Sequence, residues 1–235
     1  MEQSFKLRTK DKHIIYSTIN SKKGNIKAIV FVHGLTGHQD EHLFYNAARF
    51  FPPKGFDTIR FDLYTGEKKG RCLTTTDLLT HAKDLEQIIT FAKKRYKRIF
   101  VVGHSLGGPT IIRANTKDIT AIMLWDPSYR LKEEIFKPGP RKNLYIIPWG
   151  TEILVSRKLV KQTLETDKFV HSGLDKPTKI VFAGKSTLYK NWGKAIKIIS
   201  AIQEIHLIKN ADHCFNQEGC AQKLYQETLD WFKKF

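Results

Sequence analysis

Residues 99–115 hold the side chains best suited to nucleophilic chemistry. They read IFVVGHSLGGPTIIRAN, in which an apolar run leads into Gly103-His-Ser-Leu-Gly107 and a helical pattern follows. A serine at the apex of such a turn needs a strained backbone, and side chains two positions before and after it would collide. Gly103 and Gly107 remove those side chains. The pattern therefore predicts that Ser105 is a nucleophile on a sharp strand-to-helix turn.

A serine hydroxyl is a weak nucleophile unless a base lies within hydrogen-bond reach. His213, in the segment NADHCF, follows the last predicted strand and precedes the final predicted helix. The other histidines lie where surface or packing roles suffice, and His104 is expected to pack or hydrogen-bond beneath the turn. We therefore expect His213 to accept the proton of Ser105.

The elements that must position these residues alternate in type along the chain. Two strands at 4–9 and 13–19 precede a series in which strands and helices take turns. The later strands are predicted at 26–32, 56–61, 99–102, 119–125, 178–182 and 204–208. Helices are predicted at 41–51, from a cap at Thr76 or Asp77, from Leu106, at 192–201 and at 217–235. This alternation predicts an α/β fold with a mainly parallel, eight-stranded sheet and helices on both faces.

We expect a single domain over residues 1–235, with an insertion at about 127–175 that covers the site as a cap. The insertion is rich in proline and glycine and loses the strand-helix alternation, with one helix predicted at about 153–165. Ser105 and His213 both follow predicted strands. Parallel sheets bind ligands beyond the carboxyl ends of their strands, so these residues are expected to meet there.

Four segments carry a resemblance to a known family. VFVHGLTGHQDE, RFD, VVGHSLGG and NADHCF, in that order, resemble the α/β-hydrolase superfamily over essentially the whole chain. More narrowly, the sequence is similar to small esterases, lysophospholipases and serine-aminopeptidase-like hydrolases. The resemblance implies an α/β-hydrolase fold and a Ser-acid-His triad that works through an acyl-enzyme intermediate.

The resemblance also implies an oxyanion hole built from two backbone amides. One is the amide of Leu106, directly after the nucleophile, and the other is that of Leu35, in the His33-Gly34 segment. His33 and Gly34 are expected to support this loop. Because backbone N–H groups bind the developing charge, the side chains at these two positions matter little for the binding itself.

The acid of the triad is the point at which the sequence departs from the family pattern. The segment after the strand at 178–182 contains no carboxylate, and Ser186 or Thr187 stands where an aspartate is usual. Asp126, after the strand at 119–125, is the predicted acid. The alternatives are Asp175 and a Ser-His dyad oriented by Ser186 or by water. Asp212 adjoins His213 too closely to orient its ring, and Asp62 is expected to be structural.

Composition narrows the possible partners and cofactors. The formal net charge is +17, but the lysines are spread along the chain and no nucleic-acid-binding motif is present, so we expect no specific nucleic-acid partner. Weak attraction to an anionic membrane surface stays open. No cofactor is expected, because dinucleotide, phosphate-loop and metal-ligand spacings are all missing. Three unpaired cysteines and the lack of an apolar leader favour a cytoplasmic location.

The resulting hypothesis is a serine hydrolase of the carboxylesterase type (EC 3.1.1), acting on small-molecule esters with small or medium acyl groups. Thioester cleavage, amide cleavage and acyl transfer use the same groups and remain alternatives. A second hypothesis, of another class, is a hydrolase-fold binding or scaffold protein that has lost catalysis.

Overall fold

Eight strands form one sheet, and three more form a small separate sheet. The computed structural model describes all residues, 1–235. The strands are β1 (Glu2–Arg8), β2 (Ile14–Asn20), β3 (Lys27–Val32), β4 (Phe56–Phe61), β5 (Arg98–His104), β6 (Ala121–Trp125), β7 (Lys137–Pro138), β8 (Leu144–Trp149), β9 (Thr151–Ser156), β10 (Thr178–Ala183) and β11 (Ile202–Ile208). The helices are α1 (His42–Phe50), α2 (Leu78–Lys93), α3 (Gly107–Arg113), α4 (Arg157–Leu164), α5 (Val170–Gly173), α6 (Leu188–Trp192), α7 (Ala195–Ile198) and α8 (Cys220–Phe232).

The strand order decides which loops meet. In the large sheet it is β1-β2-β4-β3-β5-β6-β10-β11, in which β2 is antiparallel to both of its neighbours, β1 and β4, and the six strands from β4 to β11 are parallel to one another. The predicted mainly parallel, eight-stranded sheet is therefore confirmed. Because β5 lies between β3 and β6, the loop that follows β5 is flanked by the loops that follow both neighbours.

Side chains from alternate positions of the strands form an apolar core on each face of the sheet. One core contains Val101 of β5 together with Leu85 of α2 and Ile111 of α3. The opposite core contains Phe100 of β5, Phe44 of α1 and further residues of α8. Burial of both faces fixes the register of β5, because a shift by one residue would exchange the two sets of side chains.

The longest helix, α2, has a defined start. Asp77 is its N-cap, and Asp77 Oδ1 accepts a hydrogen bond from the Thr80 amide at 2.8 Å. Of the two predicted caps, Thr76 and Asp77, the structure therefore selects Asp77. None of the helices combines the length and the apolar character that would be needed to cross a lipid bilayer.

The segment between β6 and β10 differs from the prediction. The helix expected at 153–165 begins only at Arg157, because residues 151–156 form β9, which pairs antiparallel with β8. Gly150, with φ +76°, makes the tight connection between these strands. Ser156 then caps α4, since its side chain accepts from the Leu159 amide. Residues of β8, β9 and α4 form a third apolar cluster against Leu106 and Leu78.

The helix predicted at 192–201 is also different in the structure. Only the short helix α7 lies inside the predicted range. The helix α6 ends at Trp192, where the predicted helix begins, and Gly193, with φ +37°, follows it. The apolar residues keep a helical spacing across Gly193, although the backbone at Gly193 is not helical. The fully buried Trp192 at the end of α6 stacks on Tyr129, which ties this region to the segment after β6.

Candidate active site

Ser105 lies at the first position after β5, in the left-handed backbone region with φ +52°. Backbone hydrogen bonds hold it in this strained conformation. Its N–H donates to the Trp125 carbonyl at 3.1 Å, and its carbonyl accepts from the amides of Gly108 and Ser128 at 3.0 and 3.1 Å. A non-glycine residue persists at such a φ only where the surroundings fix it. The turn therefore presents the hydroxyl in one direction beyond the end of β5.

The two predicted glycines of the turn are needed for close packing. A Cβ on Gly107 would lie 2.2 Å from the Val32 carbonyl oxygen, on β3. A Cβ on Gly103 would lie 2.5 Å from Ile111 Cδ1. The first contact involves backbone, which cannot move aside, so α3 approaches the sheet only when residue 107 has no side chain.

His213 lies in the loop between β11 and α8 and faces Ser105. The distance from His213 Nε2 to Ser105 Oγ is 2.9 Å. The loop is organised by Asp212, whose carboxylate accepts from the amides of Cys214 and Asn216 at 3.1 and 2.9 Å and from the Asn216 side chain. As expected, Asp212 does not touch the His213 ring; it shapes the turn that presents the ring.

Asp126 follows β6 directly and completes a chain of three side chains. Its Oδ2 lies 2.6 Å from His213 Nδ1, and its Oδ1 accepts from the Ala183 amide at 3.2 Å. A carboxylate only accepts, so His213 Nδ1 carries the proton and Nε2 is free to accept from the Ser105 hydroxyl. Asp126 is completely buried, whereas the His213 side chain is 37 % exposed. The φ of Asp126 is +40°, which shows that the turn after β6 is strained as well.

The alternative acids lie elsewhere. The Asp175 carboxylate accepts from the Thr116 hydroxyl. Ser186 Oγ accepts from an amide two residues further along its own loop, at 3.2 Å, and makes no hydrogen bond to the His213 ring. Asp62 accepts from the backbone and side-chain N–H groups of Gln39 at 2.8 and 2.7 Å, and its burial raises its pKa. Among the candidate acids, the structure brings only Asp126 to the His213 ring.

Leu35, in the loop after β3, and Leu106, directly after Ser105, line the same cavity as Ser105. Neither backbone N–H donates to an acceptor in the protein. Gly34 packs tightly on Ser105, since a Cβ there would lie 3.0 Å from Ser105 Cβ. Two unpaired donors beside a hydroxyl are the arrangement that stabilises a developing oxyanion.

His33 fixes this loop through both ring nitrogens. Its Nδ1 donates to the Gly34 carbonyl at 2.8 Å, and its Nε2 accepts from the Leu63 amide at 2.9 Å. Burial lowers the pKa of His33 to about 4, so the ring is neutral near pH 7. The neutral form is the one this bonding requires, because Nε2 must accept.

His104 connects the serine turn to the histidine loop. Its Nε2 donates to the His213 carbonyl at 2.8 Å, and the two rings are 4.8 Å apart between centroids. Burial, with a contribution from the nearby His213, lowers the pKa of His104 to about 3. A neutral His104 thus adds no positive charge behind the His213 ring.

Ser128, which the sequence analysis does not predict as a site residue, adjoins Ser105. Its Oγ lies 3.3 Å from Ser105 Oγ, in addition to the backbone bond between the two residues. Its place two residues after Asp126, in the same strand-end loop, is the only signal in the sequence that could have indicated it.

A narrow apolar cavity opens beside Ser105. Its free volume is about 20 Å³, roughly the room needed for one water molecule. It is enclosed between the serine turn and the segment after β6, and its apolar lining is Leu35, Leu106, Leu131, Phe136, Trp149, Val155, Leu159 and Val160. No group of three or more His, Cys, Asp or Glu side chains is placed to hold a metal ion.

The comparisons with known proteins agree with this architecture. Residues 27–114 match the family model for the alpha/beta hydrolase fold. Est1E from Butyrivibrio proteoclasticus, solved with ferulic acid bound, superposes with a TM-score of 0.79 at 17% identity, covering 98% of each chain. The alpha/beta hydrolase GrgF from Penicillium sp. sh18 gives 0.80 at 14% identity, over 100% of this chain and 98% of the other. Dienelactone hydrolase from Anabaena variabilis gives 0.71 at 16% identity, over 100% and 98%.

A search of curated protein sequences found no match. At 14–17% identity the structural likeness establishes the fold, which is the α/β-hydrolase fold. The α/β-hydrolase fold that the sequence resemblance implied is thereby confirmed.

Proposed function

We propose that this chain is a member of the α/β-hydrolase superfamily and a serine hydrolase that cleaves carboxylic esters of small or medium acyl groups. One observation carries the proposal: Asp126, His213 and Ser105 form a continuous hydrogen-bonded chain, with distances of 2.6 and 2.9 Å, beside two unpaired backbone amides. An oriented proton acceptor, the His213 ring, and two candidate oxyanion donors then lie beside one serine hydroxyl.

In the proposed first half-reaction, Ser105 Oγ attacks the ester carbonyl while its proton passes to His213 Nε2. The carbonyl oxygen becomes an oxyanion and accepts from the amides of Leu35 and Leu106. Collapse of this intermediate breaks the bond to the alcohol, which leaves with the proton from His213. Ser105 is then acylated.

Asp126 has a different part. It holds His213 with Nδ1 protonated and stabilises the imidazolium that forms when Nε2 takes the second proton. Its second oxygen is held by the Ala183 amide, so the carboxylate cannot turn away from the ring. In the second half-reaction a water molecule attacks the acyl group while its proton passes to Nε2. The bond from the acyl carbon to Ser105 Oγ then breaks, Oγ takes the proton back from Nε2, and the acid is released.

The cavity beside Ser105 supports an apolar acyl group at the small end of the range. Its lining offers aliphatic and aromatic side chains, and its free volume of about 20 Å³ leaves little room for a long chain. We propose that residues 127–175 act as a cap, since Leu131, Phe136 and Leu159 of that segment form one wall of the cavity.

A fluorophosphonate probe, which phosphonylates an activated serine, tests the proposal. We expect labelling of the wild type, loss of labelling in Ser105→Ala, and normal labelling in the matched control Ser186→Ala, whose hydroxyl accepts from the Leu188 amide within its own loop. A wild type that stays unlabelled would favour the binding-protein hypothesis, and equal labelling of Ser105→Ala would place the nucleophile elsewhere.

Substrate class is tested with a panel of p-nitrophenyl esters together with matched thioesters and amino-acid amides. We expect acetate and butyrate to be hydrolysed faster than octanoate, because the cavity is narrow. Faster turnover of octanoate would contradict the proposed acyl site. Preference for a thioester or an amide would keep the triad but reassign the substrate.

A further inference from the structure

We propose that Tyr64 is a positioning residue: its hydroxyl holds the Gly34–Leu35 peptide so that the Leu35 N–H faces the oxyanion. The inference rests on the proposed function, in which the Leu35 amide is one of the two oxyanion donors. Tyr64 lies just after β4 and touches neither Ser105 nor His213 through a hydrogen bond.

The argument starts from the acceptor that Tyr64 contacts. The Gly34 carbonyl oxygen accepts three hydrogen bonds, from the Tyr64 hydroxyl at 3.0 Å, from His33 Nδ1 at 2.8 Å and from the Gly37 amide at 3.2 Å. That carbonyl belongs to the same peptide unit as the Leu35 N–H. In a planar trans peptide the two bonds point in opposite directions. Fixing the Gly34 oxygen therefore fixes the direction of the Leu35 N–H.

The loop needs an external anchor because it is strained. The bond from the Gly37 amide to the Gly34 carbonyl closes a turn in which Thr36 has φ +67°. For a β-branched residue this conformation is a genuine outlier and costs on the order of 1–2 kcal/mol. Such a turn relaxes by rotating its peptide planes unless contacts from outside oppose the rotation.

Tyr64 and its neighbour supply those contacts. Two of the three donors to the Gly34 oxygen, His33 and Gly37, belong to the loop itself. The Leu63 amide holds the His33 ring at 2.9 Å, while the Tyr64 hydroxyl holds the carbonyl directly. The segment after β4 therefore makes two hydrogen bonds to the loop after β3. Tyr64 is the one donor to the Gly34 oxygen that does not belong to that loop.

The surroundings of Tyr64 keep its hydroxyl in the donor state. Its ring is 9 % exposed and lies edge-on to His33, with centroids 5.2 Å apart. Burial raises the pKa of the Tyr64 phenol well above its usual range, so the proton remains on the oxygen near neutral pH. The Tyr64 hydroxyl therefore stays a hydrogen-bond donor to the Gly34 carbonyl.

The test is Tyr64→Phe, which removes the hydroxyl and keeps the ring. The matched control is Tyr225→Phe, because the buried Tyr225 hydroxyl also donates to a backbone carbonyl, that of Leu43, at 2.7 Å. With p-nitrophenyl acetate we expect Tyr64→Phe to lower kcat by about 10–100-fold and to leave KM within about twofold, because the lost contact matters once charge develops. The inhibition constant of phenylboronic acid, which forms an anionic tetrahedral adduct on serine, should rise by a similar factor.

The control variant should lose stability comparable to that lost by Tyr64→Phe and keep kcat. A kcat of Tyr64→Phe within about twofold of wild type, or an equal fall in Tyr225→Phe, would overturn the inference. Wild-type turnover and probe labelling are measured first, and an inactive wild type would count against the proposed function. An active wild type together with a fully active Tyr64→Phe would count against the positioning role of Tyr64.

A rescue variant tests the part assigned to strain and covers the case in which Tyr64→Phe folds poorly. Glycine at position 36 adopts φ +67° without the penalty that threonine has. Adding Thr36→Gly to Tyr64→Phe should therefore recover at least about threefold of the lost kcat, while Thr36→Gly alone changes kcat little. An additive outcome, with no recovery, would refute the strain argument.

Discussion

Replacing Asp126 by asparagine tests the proposed triad most sharply, because the structure fixes how the new side chain must sit. Asp126 Oδ1 accepts from the Ala183 amide, so an asparagine places its carbonyl oxygen there. Its NH₂ group then faces His213 Nδ1 across the present 2.6 Å contact. Two donors cannot face each other, and His213 responds by moving its proton from Nδ1 to Nε2.

The size of the effect follows from that tautomer change. With Nε2 protonated, His213 donates toward Ser105 Oγ and no longer accepts its proton. We expect kcat for p-nitrophenyl acetate to fall about 10⁴-fold, or roughly 5 kcal/mol of transition-state stabilisation. Shape and the Ala183 bond are retained, so the free energy of unfolding should change by no more than about 2 kcal/mol.

The assay compares Asp126→Asn with Asp175→Asn, a matched change at the other aspartate considered from the sequence. Asp175 bonds to Thr116, away from the ring, and its variant should keep kcat within about twofold of wild type. Turnover of Asp126→Asn within about tenfold of wild type, with intact urea unfolding, would remove Asp126 from the mechanism. Equal losses in both variants would show that the reasoning from the Ala183 contact is wrong.

Two further predictions concern stability. Burial lowers the pKa of His33 to about 4 and the pKa values of His81 and His104 to about 3. The unfolded chain binds protons at these rings near pH 6.5 and the folded chain does not, so stability falls as the pH drops below 6.5. Each ring should cost about 1.4 kcal/mol at pH 5.5 relative to pH 8. Neither nitrogen of the His81 ring has a partner, so in urea unfolding His81→Leu should reduce the pH-dependent loss by about that amount; an unchanged loss would contradict it. Gly107→Ala should destabilise by about 1–3 kcal/mol through its clash with the Val32 carbonyl, whereas Gly66→Ala, with open space around residue 66, should be neutral or slightly stabilising. Equal unfolding midpoints for these two variants would exclude the clash.

The parts of this fold and site that depend on residues adjacent in the sequence could be predicted from the sequence. The serine turn is readable because its strand, glycines and helix are consecutive, and the two-sided core follows from short apolar runs bounded by turns. The boundary of α4 was wrong by four residues, because residues 153–156 fit a helical period equally well until β8 pairs with them. Pairing of that kind is a tertiary contact.

Contacts made through the backbone, or by residues far apart in the chain, left weaker signals. Ser128 and Tyr64 approach the site from two different strand ends. The position of Ser128 two residues after Asp126 is its only sequence signal, and nothing in the local sequence distinguishes Tyr64 from an ordinary loop residue. The Ala183 amide leaves no trace at all, because any residue except proline supplies the same N–H.

That amide bears on why the acid follows β6 and not β10. The strand order places β6 between β5, which ends directly before Ser105, and β10, whose end supplies the Ala183 N–H to Asp126 Oδ1. The chain beyond Ala183 is pressed against the neighbouring loop, since a Cβ on Gly184 would lie 2.3 Å from the Lys209 carbonyl. The end of β10 therefore takes part in the site through its backbone while the strand beside it carries the carboxylate. In this arrangement the buried Asp126 carboxylate lies between the His213 ring and the fixed Ala183 N–H. A carboxylate buried away from water needs hydrogen-bonding partners of this kind.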